Sequence, residues 1–227
     1  MDLATVEAAL RAVGLTPRGG FHPAADDGVP PLPDGRPTAT LVLAGNVGGS
    51  LWQAFSRRRE AADEPNALDG WTRRLLEPLA VEFGGQALFP FGGPPYLPFQ
   101  RWARRAEPVH PSPIGPLIHP DHGLWHAYRG ALAFGERLGL PPRDSRPSPC
   151  ESCADKPCLS TCPVGALTTE GYDVPACAAH LSTEAGADCM ERSCRARRAC
   201  PVGRAHAYGL EQSRFHMDAF LRALGPE

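Results

Sequence analysis

Cys150-Glu151-Ser152-Cys153-Ala154-Asp155-Lys156-Pro157-Cys158-Leu159-Ser160-Thr161-Cys162-Pro163-Val164-Gly165 is the stretch that decides how this chain is read. A second run, Cys177-x11-Cys189-x4-Cys194-x5-Cys200-Pro201, closes on the same tetrapeptide, Cys-Pro-Val-Gly. Together the runs hold all eight cysteines of the chain. Eight thiolates fill two four-cysteine sites with none left over. Three chemistries compete for them. Disulfides need an oxidising compartment. The start of the chain, Met1-Asp2-Leu3-Ala4-Thr5-Val6-Glu7, is acidic and lacks the apolar run of a secretory signal. No stretch approaches the ~18 apolar residues of a membrane span. A cytoplasmic protein without membrane attachment is expected, and disulfides are not. Structural zinc could take all eight thiolates in two tetrahedral sites, but zinc ribbons do not call for proline after the last ligand of each half. Iron–sulfur ligation accounts for that proline.

The closing Cys-Pro of each run resembles the bacterial ferredoxins, whose paired runs hold two 4Fe–4S clusters. In that family the fourth cysteine of a run ligates the other cluster. The resemblance therefore implies Cys150, Cys153, Cys158 and Cys200 around one cluster. It implies Cys162, Cys177, Cys189 and Cys194 around the second. Four residues, rather than the usual two, separate Cys153 from Cys158, and the second run is looser still. A three-iron centre at one site is an alternative. Such a module transfers single electrons, so a soluble electron donor or acceptor protein is the expected partner.

At 227 residues the chain is long enough for one or two domains. A formal net charge of −2 argues against a nucleic-acid binder held by phosphate charge. Lys156 is the single lysine. Arg57-Arg58-Arg59 and Arg104-Arg105 read as solvated helix faces. Arg195, Arg197 and Arg198 lie between ligand cysteines, where they could offset cluster charge or guide an acidic partner. Proline and glycine concentrate in residues 19–37, 90–98, 108–116 and 141–149, which read as loops or extended strands. The last of these, from Pro141 to Pro149, reads as the connector between a first domain, residues 1–146, and a second, residues 147–227.

In the first domain, residues 2–13 carry Leu3, Val6, Leu10 and Val13 on one helical stripe that Gly14 ends. Thr38 to Ala44 reads as a strand buried on both faces. Gly45-Asn46-Val47-Gly48-Gly49 reads as a turn into a helix from Ser50 to about Glu60. That turn suits a phosphate cradle or close packing of strand on helix equally. Asn66 to Phe83 reads as a helix with Leu68, Trp71, Leu75, Leu79 and Phe83 on its apolar stripe, and Pro78 as a kink or stop. Gln86 to Phe91 reads as a short strand. The aromatics of Pro95 to Ala103 either wall a flat ligand or cover the core. Leu117-Ile118 and Leu124 to Phe134 read as a strand pair around a His-rich turn, His119 to His126. Three histidines there could bind a metal, or could cap backbone and face solvent. The whole is α+β, helices layered on a sheet.

Gly115-Pro116-Leu117-Ile118-His119-Pro120-Asp121-His122-Gly123-Leu124-Trp125-His126-Ala127-Tyr128-Arg129-Gly130 resembles CblC-type cobalamin-processing proteins, which carry Ile-His-Pro, Gly-x-Trp and Arg-Gly in this order. The resemblance implies a nitroreductase-related α+β sandwich that holds a corrinoid. It implies that His119, Trp125 and Arg129 shape the cobalamin pocket. Arg129 would alternatively bind an anionic group. A packed strand pair with an ion-paired arginine is the competing reading of the same residues. The cysteine-rich part resembles the two-cluster module of epoxyqueuosine reductase, which carries a lone cysteine before Leu-(Ser/Thr)-x-Glu. Here that context is Cys177-Ala178-Ala179-His180-Leu181-Ser182-Thr183-Glu184. Epoxyqueuosine reductase and reductive dehalogenases both join a CblC-like corrinoid domain to two 4Fe–4S clusters.

The combined expectation is an iron–sulfur oxidoreductase relaying electrons through two clusters to a corrinoid. The alternative is a non-enzymatic, ferredoxin-like electron carrier. Residues 209–224 read as an amphipathic helix, with Phe215, Phe220, Leu221 and Leu224 apolar, packed back on the cluster module as a shield.

Overall fold

The computed structural model describes residues 1–57 and 66–225. The chain forms two compact units, Met1–Pro108 with His126–Ser145, and Val109–Trp125 with Arg146–Glu227. Residues 109–125, grouped by sequence with the first domain, cluster with the second unit.

Unit 1 opens on helix α1 (Leu3–Ala12), whose N-cap Asp2 accepts from the Thr5 N–H at 2.8 Å. Val6 and Leu10, one turn apart, are its buried face. Strand β1 (Thr16–Phe21) follows, then β2 (Thr40–Val47), α2 (Ser50–Arg57), α3 (Ala67–Glu82), β3 (Gln86–Leu88) and α4 (Phe99–Ala106). Within the stretch given to unit 2 lie β4 (His110–Pro111) and β5 (Leu117–Ile118), and β6 (His126–Phe134) returns to unit 1. An antiparallel sheet runs in the order β1-β2-β6-β3. The helices of unit 1 pack on its strands. The α+β reading therefore holds.

Several local expectations are corrected. β2 runs through Gly45 to Val47 instead of turning there, with a register shift between Ala44 and Gly45. A Cβ on Gly45 would stand 1.9 Å from the Ala127 carbonyl oxygen, so that glycine serves close strand approach. The turn is Gly48-Gly49. The expected end of α2 near Glu60, with Arg58 and Arg59, lies outside the described residues. Pro78 sits on the exposed side of α3 and does not end it. The expected stripe on α3 rotates, so that Thr72 and Leu76 are buried in place of Leu75. Phe99 and Trp102 cover the core, and Trp102 Nε1 donates to the Asp27 carbonyl at 2.8 Å. Tyr96 is exposed.

β1 lies within the stretch from Gly19 that composition reads as loop. Its anchor is Arg18, fully buried on β1. Arg18 Nε and Nη2 fork onto Glu107, at 2.9 and 2.6 Å, and Nη1 donates to the Asn46 carbonyl at 3.0 Å. The Tyr128 hydroxyl donates to the same carboxylate at 2.7 Å. Burial, and then the Glu107 charge against the pull of Arg18, hold the Tyr128 phenol far above its ordinary range. A buried charge is tolerated when paired and hydrogen-bonded in this way.

The expected strand pair around the His-rich turn does not form. β5 pairs with β4, and β6 with β2 and β3. Only an isolated bridge, His119 to Gly123, closes the turn itself. Unit 2 continues with α5 (Pro157–Ser160), α6 (Val174–Leu181), α7 (Ala187–Arg192), α8 (Arg195–Ala199) and α9 (Leu210–Leu224). Its apolar cluster includes Ile114, Ile118, Leu124, Leu167, Ala196 and Cys200, so residues 109–125 supply half of that core. Among the described residues no helix is long and apolar enough to cross a membrane.

Candidate cysteine-ringed sites

The eight cysteines are all unbridged and fall into two sets of four, each around its own hollow in unit 2. The first hollow, about 310 Å³ with solvent at its mouth included, is ringed by Cys150, Cys153, Cys158 and Cys200. Local chain geometry explains the ring. Lys156 adopts a left-handed conformation (φ 37°) and Pro157 opens α5, which carries Cys158. Cys200 is the C-cap of α8, extended at φ −58° and ψ 126°, and Pro201 after it cannot continue the helix. α5 packs against α8, which brings Cys200 of the second run to the three thiols of the first.

The loop after Cys200 is pressed onto the His-rich turn. A Cβ on Gly123 would stand 2.0 Å from the Val202 carbonyl oxygen, and one on Gly203 would stand 2.2 Å from the His122 carbonyl carbon. Both glycines have positive φ, 57° and 70°. The end of the His-rich turn, His122-Gly123, thus backs the loop that follows Cys200.

The second hollow, about 370 Å³ on the same basis, is ringed by Cys162, Cys177, Cys189 and Cys194. Cys162 accepts from the Ala166 N–H at 3.3 Å. Cys177 rides on α6, which Asp173 caps by accepting from the Ala176 N–H at 2.9 Å. Cys189 is buried on α7, and Cys194 is the N-cap of α8. Tyr172 lines the same hollow as Cys177, and its hydroxyl pulls the Cys177 thiol down against burial. α9 packs on α7, brings Met217 to the hollow, and stacks Phe220 on Tyr172 at 6.4 Å. α9 thus packs back on unit 2 beside the second hollow, although Leu224 at its end is exposed.

Burial pushes the thiols of Cys150, Cys158, Cys177, Cys194 and Cys200 above their ordinary range. Hydrogen bonds from Ser148 to Cys150, from Ala196 and Arg197 to Cys194, and from Val202 to Cys200 pull the other way. Among the described residues no group of three or more His, Cys, Asp or Glu side chains is placed to hold a metal ion. Four thiolates on a single zinc stand about 3.8 Å apart, from a tetrahedron with ~2.3 Å bonds.

The arginines between the ring cysteines are mostly held by the protein itself. Arg195 and Arg198 both bind Asp188, and chiefly Arg195 holds that carboxyl below its ordinary range. Arg197 donates to the Leu124 carbonyl at 2.6 Å and lies between the Trp125 and Tyr208 rings, 4.4 and 4.6 Å from their centroids.

The residues expected to shape a corrin pocket are distributed. His119 is in unit 2, where Nδ1 accepts from the Asp121 and His122 N–H groups at 3.0 and 3.3 Å and the ring stacks on His122 at 4.2 Å. Trp125 is buried in unit 2 under Arg197 and against Tyr208. Arg129, on β6 of unit 1, pairs with Asp69 of α3 and lies 5.6 Å from the centre of the Phe91 ring. Sequence reading passed over Tyr172 and His180, both of which line the second hollow. Their signal was present: His180 stands three residues after Cys177 on one helix, which places the two side chains on the same face.

No family model matches this sequence, and no curated protein sequence matches it either. Among solved structures, the chain is similar to the crystal structure of the C. elegans B12-trafficking protein CblC. The two superpose with a TM-score of 0.55 over 96% of this chain and 95% of that one, at 12% sequence identity. At that identity the likeness is one of fold, and its coverage is not confined to the part N-terminal to the cysteines: this is a mixed α/β chain with a CblC-like fold.

Proposed function

We propose that this chain is an iron–sulfur oxidoreductase with a four-iron centre in each cysteine ring, and that a corrinoid accepts the electrons. The observation that carries the first half is the partition of thiols. Two interleaved runs sort into two rings, with Cys162 and Cys200 each crossing to the other run's set. That crossing is the two-cluster ferredoxin pattern. When bound, such centres take up and release single electrons. The chain's own part is ligation, positioning and exclusion of water. Burial pushes the Cys150, Cys158 and Cys194 thiols up, so a metal bound there would have to displace their protons. The Ala166 N–H holds the Cys162 sulfur at 3.3 Å.

The second half rests on the fold likeness to a B12-trafficking protein. His119, Trp125 and Arg129 are the proposed corrin-contacting residues. All three are engaged by the chain's own groups, so a corrin using them has to displace those contacts. This engagement favours a second reading, a two-cluster electron carrier with no corrinoid.

Anaerobic purification with iron, sulfide, zinc and cobalt counts tests the first half, with about eight iron per chain expected from two full ligand sets. Zinc in place of iron, or a colourless protein after reconstitution, defeats it. Titration with hydroxocobalamin under reducing conditions tests the second half. A changed corrin spectrum supports the corrinoid, and an unchanged one leaves the carrier.

A further inference from the structure

The two hollows differ in what lines them besides cysteine. Proline, Ile118, Val202 and Lys156 complete the first. The second adds two ring side chains with polar atoms, Tyr172 and His180. Tyr172 lines that hollow with Cys177, and its hydroxyl pulls the Cys177 thiol down against burial. His180 Nε2 is buried and has no hydrogen-bond partner in the protein. An unsatisfied buried donor or acceptor costs about 1–3 kcal/mol. Such a nitrogen, on a side chain that lines the hollow of Cys162, Cys177, Cys189 and Cys194, has no partner that the polypeptide supplies. Sulfur of a bound iron–sulfur core is an acceptor of the right kind at that place.

We propose that His180 donates a hydrogen bond through Nε2 to sulfur of the centre held by Cys162, Cys177, Cys189 and Cys194, and with Tyr172 raises the potential of that centre alone. This inference rests on the iron–sulfur reading above. A reduced centre carries one more negative charge than the oxidised one, so each donor aimed at its sulfurs favours the reduced state. The first ring lacks both side chains, so the effect is confined to one of the two couples. His180 is thereby a positioning residue for charge and not a ligand, because four thiols already complete the ring.

Reconstituted wild-type protein is compared with His180→Leu, His180→Gln, Tyr172→Phe and Ser148→Ala by mediated redox titration followed by electron paramagnetic resonance. His180→Leu and Tyr172→Phe are expected to lower the same midpoint, each changing the oxidised-to-reduced ratio about tenfold at fixed potential, or about 59 mV for one electron. His180→Gln, which keeps an N–H donor, is expected to recover part of that shift. Ser148→Ala is expected to move the other midpoint. Iron and sulfide content stay at the wild-type level throughout. Midpoints unchanged in His180→Leu overturn the proposal, and so does a shift in the couple that Ser148→Ala moves. Loss of iron in both His180 variants also overturns it, by making the histidine a ligand. A wild-type chain that takes up no iron and sulfide refutes the underlying iron–sulfur reading and is told apart by that count alone.

Discussion

Cys158 and Cys162 stand four residues apart, yet they face different hollows: Cys158 joins Cys200, and Cys162 joins Cys177. The α5 turn between them is the hinge of the arrangement. Each run is thereby incomplete without the other. Single substitutions are expected to show the crossing. Cys200→Ala, in the second run, should empty the ring of the first run and cost about four iron while sparing the other centre. Cys162→Ala should do the reverse. Iron counts with paramagnetic resonance of each variant check this, and a Cys200→Ala protein that loses the Cys177 centre instead contradicts the partition.

Gly123 and Gly203 clasp the His-rich turn to the Cys200 loop. Alanine at either position meets backbone atoms and a positive φ at once. Each substitution is expected to cost about 1–3 kcal/mol and to loosen the first ring more than the second. Thermal unfolding and the residual iron of each centre measure the two effects. Gly165→Ala, also at positive φ but with open space around the built Cβ, is the milder control.

Arg18→Met should destabilise unit 1 strongly. It removes one side of a buried ion pair and leaves Glu107 with the Tyr128 hydroxyl alone. Breaking a buried pair from one side costs about 3–5 kcal/mol. Denaturant unfolding gives the value, and a loss well below this range would mean that water replaces the guanidinium.

Asp121 and Arg146 make a forked ion pair at 2.6 and 2.8 Å, both about half exposed. Arg146 holds the Asp121 carboxyl at about 2, below its ordinary 3.8. A depressed carboxyl stabilises the fold above its unfolded value, and that contribution fades as pH falls from about 3.8 through about 2. Exposure and salt hold it below about 1 kcal/mol. The stability gap between wild type and Asp121→Asn should therefore be small at pH 7 and vanish in acid. Denaturation series at several pH values test the sign.

The sorting of cysteines into the two sets that line the two hollows was legible through the resemblance to ferredoxins, in which the fourth cysteine of each run crosses over. The sequence carried α1 and α9 because their apolar positions recur at helical spacing. It did not carry β1, whose Thr16-Pro17-Arg18-Gly19-Gly20-Phe21 has no alternation. That strand is secured by Glu107, far along the chain. The His-rich turn was misread as the link of a strand pair because Leu117-Ile118 and β6 each look like strands. Their partners, β4 for one and β2 and β3 for the other, are set by tertiary packing. The role of Gly45 was equally invisible, since a glycine beside a turn motif looks the same whether it bends or is pressed against Ala127.

The crossing of Cys162 and Cys200 also orders the protein's birth. A nascent chain emerges from its N-terminus, so Cys150, Cys153 and Cys158 wait for a fourth thiol until Cys200 has followed them. Nascent fragments ending before Cys200 therefore lack the means to finish that ring.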